Sequence, residues 1–142
     1  MPGADPGAYE HFPALTAIPS IRHAFCGRVP GIDVKVDRTA ALARLAAQHR
    51  TIRAALGIDG KEFVLGEQVH GSAVAVVDAQ SRGPVGQVDG LITADPRVCL
   101  GVYVADCCAV YLVEPERRVI ALLHSGRKIG RASCRERVCY AV

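Results

Sequence analysis

The chain has 142 residues, half of them hydrophobic and 22% charged, with 17 basic and 14 acidic side chains and a net charge of +3. These proportions exclude a disordered or collagen-like chain and fit one ordinary globular domain. No run approaches the roughly 18 apolar residues that a spanning helix needs, so no membrane association is expected.

The positive charge is local. Arg127, Lys128, Arg131, Arg135 and Arg137 stand against Glu136 alone at the end of the chain, and the remainder is close to neutral. With no Trp and few aromatic residues to stack on bases, nucleic-acid binding is not expected. The opening MPGADPGAYE lacks a basic region followed by an apolar run, which points to a cytoplasmic protein. In that compartment the six irregularly spaced cysteines, at 26, 99, 107, 108, 134 and 139, read as thiols or metal ligands rather than a disulfide framework.

Residues 1–18 are rich in Pro and Gly and read as a loose leader, with a first strand near 21–26. From 39 to 56, Leu42, Leu45, His49, Ile52 and Leu56 recur at spacings of three and four, the stripe of an amphipathic helix. Asp37 is placed to cap its start and Gly57 its end. His49 lies on the apolar stripe, where a histidine is a core-edge residue with one satisfied nitrogen. Six β-rich runs follow at 62–65, 69–78, 90–93, 100–105, 108–113 and 118–124, with a loop at Gly83, Pro84 and Gly86. The composite is an α+β domain whose mixed, largely antiparallel sheet carries one main helix.

The last two runs flank Glu114, Pro115, Glu116 and Arg117, a β-turn sequence, and so form a hairpin. Pairing Val113 with Arg118 places Cys107 directly across from His124. Opposed Cβ atoms lie about 4.5 to 5.5 Å apart, so a thiol and an imidazole there can share a metal or act as nucleophile and base. His70 is a further polar residue on an apolar run, and Gly71 beside it permits close approach to the backbone. Asp106 adjoins Cys107, while Gly126 and Arg127 follow His124.

The ordered set QVHG at 68–71, VDGLIT at 88–93, LGVYVADC at 100–107 and LLHSGR at 122–127 resembles the YfiH-like family of polyphenol oxidase or laccase-domain proteins. The resemblance covers about residues 21–127. It implies an α+β fold and a zinc-dependent purine nucleoside enzyme, phosphorolysing adenosine, inosine and methylthioadenosine and deaminating adenosine. It also implies His70, Cys107 and His124 as metal ligands; one cysteine and two histidines are too few for a multicopper cluster, so zinc is expected rather than copper. Purine nucleoside and phosphate are the expected partners. Asp106 is assigned to proton handling or to orienting a metal ligand, Gln68 to a hydrogen bond with base or ligand, Arg127 to phosphate charge, and Arg28 to a phosphate contact. The alternatives are a cysteine hydrolase using Cys107 and His124, a copper polyphenol oxidoreductase, and a non-catalytic fragment.

Residues 19–128 thus read as a single partial catalytic domain. After Lys128 the sequence IGRASCRERV resembles a translated sequencing adapter, and family chains continue further. Residues 129–142 are therefore expected to be a non-native tail that does not pack, leaving apolar faces near Leu112, Ile120 and Leu122 open.

Overall fold

The computed structural model describes residues 9–126 and 137–141, the side chains of 137–140 excepted. The chain order is β1 (Tyr9–Glu10), α1 (Pro13–Thr16), β2 (His23–Cys26), α2 (Arg38–Ala55), β3 (Glu62–Leu65), β4 (Val74–Val76), β5 (Gly90–Thr93), β6 (Val98–Val104), β7 (Cys108–Glu114), β8 (Val119–Ser125) and β9 (Arg137–Ala141). Two sheets result, one ordered β1-β2-β9-β6-β3 and the other β4-β5-β8-β7. Only the β3–β6 and β4–β5 pairs are parallel. The α+β class with a mixed, largely antiparallel core is as expected. Among the described residues no helix is long and apolar enough to cross a membrane.

Strand β6 organises the layers, because all seven of its residues are buried. Its even positions, Val98, Leu100, Val102 and Val104, join Val64, Leu91, Ile120 and Leu122 in a core between the two sheets. Its odd positions Cys99 and Tyr103 join Leu45 and Ile52 of α2, with Ala24 and Cys26 of β2, in a second core. A strand covered on both faces has no polar side to alternate with, which explains its unbroken apolar run. Each fully buried Leu or Ile contributes about 1.5–3 kcal/mol relative to exposure.

Helix α2 starts as its sequence indicates. The Asp37 side chain accepts the Ala40 amide at 3.1 Å, and Gly57 just beyond the helix adopts φ +69°. His49 is buried on the stripe, its Nδ1 3.0 Å from the Tyr103 hydroxyl.

Several expectations need correction. Within the expected leader, Tyr9–Glu10 form β1, which pairs with β2, and α1 follows. The run 69–78 yields only β4, because residues 68–71 form a loop in which His70 takes φ +61°. The hairpin register is shifted by two: Ala109, not Cys107, opposes His124. Its turn occupies 115–118, Arg118 adopting φ +52°. A two-residue shift conserves the face of every side chain, so Cys107 remains diagonal to His124 on the same side.

The expectation of an unpacked segment also fails where it can be judged. β9 lies between β2 and β6, antiparallel to both, pairing Cys26 with Val138 and Val102 with Cys139. Residues 129–136 lie outside the described residues. Ile120 and Leu122 are buried between the sheets, and only Leu112 of the three named residues is exposed.

Candidate metal centre

Three segments converge at one end of the four-stranded sheet: the loop between β3 and β4, the bend between β6 and β7, and the end of β8. They deliver His70, Cys107 and His124, whose candidate donor atoms all lie within 4.8 Å of one another. The His70 and His124 rings meet edge to face, 5.0 Å between centroids. His124 is buried and the other two are half-buried. Among the described residues this is the one His, Cys and carboxylate cluster with such spacing. Cys26, Cys99, Cys107 and Cys108 all carry thiols.

Beneath the histidines sits a residue that the sequence reading passed over, Asp89. Its Oδ2 accepts from His124 Nδ1 at 2.7 Å and from the His70 amide at 3.0 Å. Its Oδ1 accepts the Val69 and Gly71 amides, each at 3.0 Å. Burial alone would raise this carboxyl; the Val69 amide, His124 and the Gly71 and His70 amides together hold it below the usual carboxylate range. Its backbone is tied as well, the amide to Ala73 and the carbonyl to the His124 amide. An ionised carboxylate only accepts, so Nδ1 of His124 carries the proton and Nε2 is left as the donor atom toward the cluster. The one signal in the sequence was an acid inside the apolar VDGLIT run.

The His70 loop is held from two further directions. The Gln68 side chain bonds both backbone groups of Tyr103, Nε2 to its carbonyl and Oε1 from its amide, each at 2.8 Å. Gln68 therefore clamps the loop to β6. Arg38, at the start of α2, donates to the carbonyls of Gly66 and Gln68 at 2.7 and 3.3 Å. At Gly66 the chains pass so closely that a Cβ would come within 2.7 Å of the Val88 carbonyl oxygen.

A cleft of about 620 Å³ opens over the histidines. Val74, Val110 and Leu123 give it apolar walls, and Ser72 and Ser125 add hydroxyls. Asp106 is exposed in the bend next to Cys107, so the carboxylate joined to both histidines is Asp89 rather than Asp106. Arg28 is exposed in the segment after β2 and does not line the cleft. Arg127 lies outside the described residues.

Known proteins are similar to part of this chain. A purine nucleoside phosphorylase of Mycobacterium tuberculosis is 38% identical over 85 residues, 60% of this chain and 34% of that protein. A purine nucleoside phosphorylase of Deinococcus radiodurans is 36% identical over 121 residues, 79% of this chain and 47% of that protein. An adenosine deaminase from an unknown prokaryotic organism is 31% identical over 91 residues, 58% of this chain and 35% of that protein. The chain thus spans between a third and a half of the length of these relatives.

In three dimensions, YlmD from Geobacillus stearothermophilus superposes with a TM-score of 0.65 at 23% identity, covering 85% of this chain and 53% of that one, which establishes the shared fold. The family described as multi-copper polyphenol oxidoreductase laccase matches residues 31–139. That span includes every segment that builds the cluster, and the chain belongs to this family of YfiH-like proteins.

Proposed function

We propose that His70, Cys107 and His124 hold one zinc ion, and that the chain supplies the metal centre of a purine nucleoside phosphorylase acting on adenosine, inosine and methylthioadenosine, with adenosine deamination as a second activity. The observation that carries this reading is the three-donor cluster, of which His70 and His124 line a cleft. Two imidazoles and a thiol form a donor set that suits zinc, and a carboxylate on the far nitrogen of a ligating histidine is its usual support. The substrate class is drawn from the names of the relatives. When bound by three protein ligands, zinc supplies a Lewis acid with one open position.

The remaining work falls to the chain itself. Val74, Val110 and Leu123 offer apolar surface to a flat heterocycle and exclude water from its faces, while Ser72 and Ser125 offer hydrogen bonds to its polar edge or to ribose. Asp106, exposed beside Cys107, is the carboxylate for proton transfer to the purine, and Arg127 the cation for phosphate. Two imidazoles rather than one around the thiol favour a metal over a hydrolase dyad. A cluster of three donors takes one ion, which does not supply the histidines of a multicopper centre.

Chromatography of products from adenosine and inosine, with and without phosphate, tests the reading. We expect free base released only with phosphate, ammonia from adenosine, and loss of both on chelation. Oxidation of phenols without nucleoside turnover would overturn it.

A further inference from the structure

We propose that Asp89 preassembles the metal centre, as the joint that bonds both the His70 loop and the His124 ring and holds them in their metal-binding poses before any ion arrives. The inference rests on the zinc reading above and extends it to a positioning residue outside the ligand set.

The loop is held in an unusual conformation. His70 adopts φ +61°, a region that side-chain-bearing residues enter rarely, and this turns three successive amides, those of Val69, His70 and Gly71, toward one point. Such a concavity of N–H groups binds an anion, and here the anion is internal: the Asp89 carboxylate, which is 4% exposed. The same Oδ2 that takes the His70 amide takes His124 Nδ1. One carboxylate therefore fixes the backbone of one candidate ligand and the tautomer of another.

The main chain reinforces the joint. Asp89 sits at the entry to β5, bonded through its backbone to Ala73 on one side and His124 on the other. An imidazole with its one proton on Nδ1 presents Nε2 as an acceptor, the form a metal requires; the other tautomer would present an N–H and repel it. Without the carboxylate, three amides and an imidazole N–H lose a common partner, the strained loop loses the anion that its amides converge on, and binding must then include the cost of ordering both ligands.

The test uses metal-free and zinc-loaded protein. In the metal-free wild type, nitrogen NMR of His124 is expected to show the Nδ1-protonated tautomer; the Nε2-protonated form would overturn the proposal without any mutation. In Asp89→Asn, zinc affinity measured against a competing chelator is expected to fall about 10- to 100-fold, with zinc released faster. A folded Asp89→Asn that holds zinc as tightly as wild type would overturn the proposal. If that variant does not fold, the wild-type tautomer decides. Failure of the wild type to bind zinc contradicts the zinc reading instead and leaves the tautomer result to judge Asp89.

Discussion

His49 shows how a single residue can look functional in the sequence and prove structural. It lies on the helix stripe, buried against Tyr103, and burial together with the Arg53 charge holds its imidazole at about 4 rather than 6.5. The folded state therefore keeps it neutral while the unfolded chain protonates it first. Its contribution is complete above about pH 6.5 and is lost as pH falls toward 4, by about 3 kcal/mol at most. His23, lowered by burial and by His11, acts in the same direction. Urea midpoints of metal-free protein should thus drop between pH 7 and 4.5, and His49→Phe should flatten that slope although it lowers stability overall. Equal slopes in the two proteins would assign the pH dependence elsewhere. Asp89 is the opposite case, unremarkable in the sequence yet the most heavily bonded side chain of the site. What distinguishes it is the convergence of three amides and a histidine from segments up to 35 residues away, which no local pattern encodes.

At the scale of elements, legibility followed the range of the forces involved. Helix α2 was plain because its stripe, cap and terminal glycine are all local. The hairpin's face was right and its register wrong, because the turn absorbed Arg118 as a fourth residue through a positive φ. The stretch around His70 has strand-like composition, but Asp89 and Arg38 bind its backbone from outside, and its own Gln68 side chain is tied to the backbone of Tyr103, which removes it from any ladder. β9 was missed altogether, since its charged neighbours gave no apolar face and its place is set by long-range pairing with β2 and β6. That placement reverses an expectation about stability. Removing residues 129–142 opens the five-stranded sheet between β2 and β6 and should lower Tm by at least several degrees, each kcal/mol moving Tm by about 4 °C at this size. Thermal melting of the two forms checks this, and coincident melts would place β9 outside the folded core.

For the whole molecule, the layered arrangement explains why the cluster exists where it does. Helix α2 backs one sheet, β6 is sealed on both faces, and the second sheet lies against β6 so that the ends of β3, β6 and β8 and the start of β7 share one rim. His124 lies on β8 and Cys107 just beyond β6, both strands with buried core residues, while His70 is held by its loop's hydrogen bonds to Asp89, so packing and hydrogen bonding together fix the distances between donors. Cys107 and its neighbour Cys108 offer an internal control, adjacent in the chain but with only Cys107 in the cluster. The most direct measurement is metal content by elemental analysis of purified wild type, Cys107→Ala and Cys108→Ala. The account predicts close to one zinc per chain in the wild type and in Cys108→Ala, and strong loss in Cys107→Ala; equal zinc in all three, or none in the wild type, would contradict it.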